Sequence, residues 1–268
     1  MATSSRVVKI TAKTTLKNNF LRSVFSSMPI LFCIFIGIYI SSFLDYIGGS
    51  IVSGIFLTLF TVFLTVPLCL GVIRFFWRML FSVNDNPISV FYYFSNKGLY
   101  LKTLKLTGVI LFKAIVPALI LAIPVVGLWL VSKGAIFEMI DMSIPLWTAN
   151  LSYIYVFVKT LAIILLILHM FKYYMAPLFI IADKNMDIDE AIHMSTMIAK
   201  KSSIDFSYLI FSFIGWIILS FLVIPLVFTL PYFLTSYAVH FRFAVAEYNK
   251  HVEESIADEF PTFVAGTF

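Results

Sequence analysis

Charged residues are scarce in this chain. Asp, Glu, Lys and Arg make up 12% of its 268 residues, against roughly 25% in soluble domains. Cysteine is scarcer still: Cys33 and Cys69 stand alone, each inside an apolar run. Two such residues exclude a disulfide scaffold and a zinc-type cluster, and read as small buried hydrophobes. The chain also lacks His-Glu-x-x-His, Gly-x-Ser-x-Gly, paired intramembrane aspartates and a phosphate-cradling glycine loop. We therefore expect no catalytic residue, no metal and no cofactor, hence a non-enzyme. No hydrophilic stretch is long enough for a soluble catalytic domain, and no basic module suits nucleic acid.

What is present is apolar. Hydrophobic residues make up 61% of the chain, Phe alone numbers 29, and the mean hydropathy is +0.99. The apolar runs are long and continuous, without the alternation of an outer-membrane barrel. Lipid leaves backbone groups no water to bond, so such a chain is expected to be an all-α, polytopic membrane bundle. The spacing predicts six spans, at 27–44, 51–77, 112–131, 151–181, 206–224 and 231–245. The start resembles a signal peptide, but its basic region is long and no small-x-small site follows, which predicts a retained first span. Gly48-Gly49 turns the first span into the second. The uncharged run from Phe206 to Val239 would make a straight helix of roughly 50 Å, against a hydrocarbon core of roughly 30 Å. Pro225 is expected to end or kink the fifth span and Pro231 to open the sixth, the competing reading being a single kinked, re-entrant element.

Lys and Arg cluster on alternate loops. Arg6, Lys9, Lys13, Lys17 and Arg22 precede the first span; Arg74, Arg78, Lys97, Lys102, Lys105 and Lys113 surround the second link; Lys184, Lys200 and Lys201 the fourth. The other side offers Lys133, beside Glu138 and Asp141. The positive-inside rule places both termini in the cytoplasm, which agrees with an even count of spans. The net charge of +5 then reflects loops facing anionic lipid, and the expected partner is the bilayer with its anionic headgroups.

Three segments before the odd-numbered spans read as amphipathic helices: 5–24, 86–106 and 187–203. In the first, Lys9, Lys13 and Lys17 form one stripe beside Val8, Ala12, Leu16 and Phe20. Asn86-Pro87 opens the second. Asp187 or Asp189 caps the third, with Lys200-Lys201 at its end, as the helix dipole favours. These helices can lie in the headgroup plane or pack on the bundle itself. Laying 88–106 over 188–206 brings Ser95 opposite Ser195, a weak sign of a repeat. Residues 1–250 read as one domain and 251–268 as an acidic, flexible tail.

Three blocks carry a family resemblance. "AKTTLKNNF", "YYMAPLFIIADKNMDIDEAIHMSTMIAKKSS" and "SFIGWIILSFLVIPLVFTLPYF" are similar to the opening, middle and closing signatures of a bacterial integral-membrane family, domain of unknown function 975. That family is distantly similar to the membrane domain of glycerophosphodiester phosphodiesterases. The resemblance implies a multi-pass protein of a bacterial cytoplasmic membrane and transfers no catalytic residue. The chain departs from the family pattern at "LLILHMFKYY" and "IAKKSS".

Ionisable residues within spans are costly and often functional. Lys159, His169 and Lys172 on the fourth span are therefore a candidate polar track for an anionic solute or headgroup; the bland alternative is snorkelling and a carbonyl bond. Lys9, Lys13, Lys17, Arg74 and Arg78 are candidate headgroup contacts. Gly215 and Trp216 are expected to pack helices closely. The leading reading is a membrane-organising or accessory component; the alternative is a transporter or permease subunit for a small or lipid-like solute.

Overall fold

A computed structural model describes residues 5–83, 85–132, 148–220 and 224–259, and every regular element among them is a helix. The chain divides into two compact units, Met1–Thr107 with Met175–Phe268, and Gly108–Tyr174.

In the first unit, helix α1 spans Ser5–Lys17 and buries the predicted stripe, Val8, Ala12 and Leu16. Those three residues lie four apart, one above another on a helix, so a single face turns inward. The amphipathic segment is shorter than expected: Asn18 and Asn19 interrupt it, and α2 (Phe20–Phe60) follows. Within α2 the backbone breaks at Gly49, whose φ of 78° and ψ of 173° belong to a region that is essentially glycine's alone. The arms 20–48 and 50–60 double back on each other. Cys33 Sγ meets Thr65 Oγ1 at 3.4 Å, and the Ser53 hydroxyl lies 3.4 Å from Asp45 Oδ1.

A wide turn of π-helix, Thr61–Thr65, leads into α3, Val66–Met79, with Pro67 at its start. Pro67 has no N–H to offer the Phe63 carbonyl four residues back. The Tyr100 hydroxyl donates to that carbonyl at 2.9 Å instead. Beyond α3, Pro87–Phe94 forms a 3₁₀ strap, and α4 (Lys97–Ser132) begins after Ser95 and Asn96. The expected helix 86–106 is thus two elements. Asn96 Oδ1 accepts from the Gly98 amide at 2.9 Å, which starts α4 afresh.

Later in the unit come α6 (Ala176–Ala182), α7 (Ile188–Phe211), α8 (Ile214–Leu219) and α9 (Ile224–Glu259). Residues 235–241 of α9 are buried on every side. There Phe241 packs edge-on to Trp77 at 5.2 Å and Phe179 at 4.9 Å, while His240 stacks on Phe206 at 5.1 Å. With Val72, Phe75 and Phe76 of α3 they form the interior.

The second unit holds the rest of α4, with Pro117 and Pro124 inside it, then α5 (Thr148–Met170) and a short 3₁₀ turn, Phe171–Tyr173. Lys133, Glu138 and Asp141 lie outside the described residues.

Several expectations need correction. Three stretches, not six, are long and apolar enough to cross a membrane: Phe20–Met79, Lys97–Val131 and Tyr153–Ala182. The first of these is broken at Gly49, where the chain folds back. The expected fifth span is cut at Ser212 and Phe213, and α8 is six residues long, only about 9 Å of helix. Pro225 and Pro231 do not flank a connection, because α9 runs through both. Pro225 sits in the first turn, where a missing donor is harmless. Residues 221–223, just before α9, lie outside the described residues. The third amphipathic helix is likewise not separate, since α7 continues to Phe211; Asp187 occupies its cap position without a side-chain bond. The tail is helical through Glu259, and 260–268 lie outside the described residues. The three proposed repeat segments take three different forms: Ser195 is buried and accepts from the Met175 amide at 3.2 Å, whereas Ser95 is exposed and bonds only the Tyr92 carbonyl.

Candidate functional site

A cationic cluster forms where α3 meets the 3₁₀ strap. The strap begins at Asn86, whose Oδ1 accepts from the Ile88 amide at 3.1 Å, and Pro87 fixes the first turn. It lies flat on α3 because Gly71 has no side chain: a Cβ there would stand 1.8 Å from the Val90 carbonyl oxygen. This approach brings Tyr92 and Tyr93 over the end of α3. Tyr93 is buried, which pushes its phenol up to about 12, with Arg74 pulling against the shift.

Two cations address the Tyr92 ring. The Arg74 guanidinium stands 3.6 Å from its centroid and the Lys184 ammonium 5.2 Å. Arg74 is only 7% exposed, so it is committed to the interior rather than free for headgroups as expected. A buried guanidinium stacks well because it is planar and weakly hydrated. Arg78 keeps part of its surface exposed and pairs with Asp85 at 3.0 Å. Lys102 donates to the Lys184 and Met186 carbonyls at 2.5 and 2.6 Å, fixing the loop that carries Lys184.

The three α1 lysines divide their work. Lys9 donates to the Ser212 carbonyl at 3.0 Å and stands 4.7 Å from the Phe213 ring centroid. It therefore caps the C-terminus of α7, where the helix dipole is negative; partial burial lowers its pKa. Lys13 and Lys17 are exposed and make no ion pair or hydrogen bond among the described residues. Both line a groove of about 640 Å³ with Phe20, Trp216, Phe228 and Tyr232. Trp216 is half-exposed there, and a side chain added at Gly215 would meet open space. The Pro225 and Pro231 carbonyls each accept from a threonine four residues on, Thr229 and Thr235, both at 2.8 Å.

Lys159, His169 and Lys172 occupy the second unit. Lys159 is exposed, its ammonium 6.0 Å from the Tyr155 ring one turn earlier. His169 faces Tyr173 edge-on at 6.2 Å, and Lys172 sits in the 3₁₀ turn. The grooves described above and below are lined by residues of the first unit.

Sequence reasoning missed Gly71, Asp85 and Tyr100, and read Lys102 and Lys184 only as loop charges. Asn86-Pro87 was a visible signal for the strap, but nothing local ties Gly71 to Val90 or Tyr100 to the Phe63 carbonyl. No group of three or more His, Cys, Asp or Glu side chains among the described residues can hold a metal.

No curated protein and no solved structure matches the chain. Residues 1–247 match the family described as Protein of unknown function (DUF975). That match covers most of the 268 residues, and the chain therefore belongs to this family.

Proposed function

We propose that the chain is a multi-pass protein of a bacterial cytoplasmic membrane, with both termini on the cytoplasmic side, serving as a non-enzymatic organising or accessory component. One observation carries the reading: in Lys97–Val131 and Tyr153–Ala182 none of the most apolar stretch is buried within the protein. Leu119, Ile120, Ile123 and Phe157 are each more than 60% exposed. A contiguous apolar surface of that extent is stable only against lipid or another apolar partner.

With the first stretch folded back at Gly49, the three stretches make four apolar passes and return the chain to its starting side. Alkaline carbonate extraction, followed by labelling of single cysteines placed near residues 5 and 250, tests the reading. Retention in the pellet with both labels accessible from the cytoplasm supports it. Release into the supernatant, or labels on opposite sides, overturns it.

The alternative, a transporter or permease subunit for a small or lipid-like solute, draws on Lys159, an exposed cation in the apolar helix α5. Solute uptake into vesicles that is abolished by Lys159→Leu would favour it over the organising role.

A further inference from the structure

The groove beside α1 combines features that its neighbours lack. Its floor is aromatic: Phe20 and Phe228 stack with centroids 5.7 Å apart and planes 6° from parallel, and Trp216 extends the surface along α8. Its rim carries Lys13 and Lys17, one helical turn apart and without protein partners among the described residues. No Asp or Glu among the described residues lines it. Its volume of about 640 Å³ falls within the roughly 300–1,000 Å³ of small-molecule sites. Lys9 makes the groove possible: by capping α7 at Ser212 it fixes α1 across the entrance to α8.

We propose that this groove holds one anionic phospholipid drawn from the bilayer, its phosphate between Lys13 and Lys17 and one acyl chain along Phe228 and Trp216. The charge pattern selects this occupant. Two ammonium groups without a protein partner among the described residues favour an anion, and the aromatic floor beside them favours a hydrocarbon chain on the same molecule. Lys13 and Lys17 stand on an amphipathic helix suited to the headgroup plane, while Trp216 and Phe228 belong to the uncharged stretch 206–239. Tyr232 lines the same groove. A soluble phosphate would gain the two cations but leave the aromatic floor in contact with water.

The proposal rests on the membrane reading above, and one experiment separates the two. The full chain is reconstituted in nanodiscs of equal phosphatidylglycerol and phosphatidylcholine, extracted in mild detergent, and its retained lipids are counted by native mass spectrometry. The expected result is one retained phosphatidylglycerol, at least tenfold over phosphatidylcholine. K13Q/K17Q reduces it to the phosphatidylcholine level, K13R/K17R keeps it, and K97Q/K105Q leaves it unchanged. Trp216→Ser weakens retention of both lipids. Circular dichroism of K13Q/K17Q should match the parent, because both lysines are exposed. Equal retention of the two lipids, or full retention in K13Q/K17Q, would overturn the groove while leaving the membrane reading intact. A chain that never enters nanodiscs would overturn both.

Discussion

The larger unit has an interior and the smaller one, among its described residues, does not. In the larger, Val72, Phe75, Phe76 and Phe241 are enclosed, and polar groups such as Arg74, Ser195 and His240 are buried with them. In the smaller, 108–174, the apolar side chains of α4 and α5 remain outside, although these helices are among the most apolar in the chain. Hydropathy alone therefore does not mark the core of this protein. The better marker is where polar residues are enclosed, because a buried polar group demands a specific partner and so fixes an arrangement. The larger unit holds such pairings: Arg74 on Tyr92, and Ser195 on the Met175 amide.

Substitutions in the two units should then behave differently. The largest effect is expected at Gly71. Gly71→Val drives a side chain into the Val90 carbonyl and must displace the strap, a cost at or above the upper end of the roughly 1–3 kcal/mol typical of overpacking. Thermal unfolding in detergent and protease cleavage within 81–96 read it; an unchanged melting temperature would refute the close packing. Arg74→Leu comes next, removing a buried cation from Tyr92, with an expected loss of about 2 kcal/mol. Tyr100→Phe leaves the Phe63 carbonyl unserved and should cost about 1 kcal/mol. Adding Pro67→Ala restores a backbone donor, so the double variant should recover most of the loss. A double variant no better than Tyr100→Phe would show that the hydroxyl does not serve that carbonyl.

In the smaller unit the expectation is nearly flat. Lys159→Leu should change stability by less than about 0.5 kcal/mol, as an exposed site does. A larger change would mean a buried partner and would erase the contrast between the units.

The smallest effect returns to the larger unit, at a cleft lined by Lys201, Asp205, Glu247 and His251. Desolvation and then the Glu247 charge raise the Asp205 pKa. A carboxyl raised on folding holds its proton more tightly in the native state. Its contribution is therefore complete below the unfolded value and disappears as pH rises through the folded one. Asp205→Asn should accordingly raise the melting temperature slightly at pH 7, with the gain shrinking towards pH 4. A gain that grows on acidification would reverse the sign.

Local periodicity made part of this legible. Val8, Ala12 and Leu16 announce the buried face of α1 by spacing alone, and Gly48-Gly49 announces the hairpin because only glycine adopts that backbone. Pro225 and Pro231 misled for the complementary reason. Proline rules act over a single turn, and both residues fit within α9, one in the first turn and one with its carbonyl bonded by Thr235. The chain turns instead at Ser212 and Phe213, where no residue type signals a break and where Lys9, more than 200 residues away in sequence, supplies the cap. Arg74 looked like a headgroup anchor because its partner Tyr92 arrives by way of the strap. The groove combined Lys13 and Lys17, already singled out as cations, with Trp216, noted only for packing; their proximity is a product of tertiary structure.

The central claim is that hydrocarbon, not water, bathes the outward apolar faces of α4 and α5. Spin labels at single cysteines replacing Leu119, Ile120 and Phe157, in a Cys33→Ala, Cys69→Ala background in liposomes, measure this directly through relaxation by oxygen and by a water-soluble nickel chelate. We expect strong relaxation by oxygen and almost none by nickel at all three positions. Ready access of nickel to Leu119 and Phe157 would place those faces in water and contradict the account.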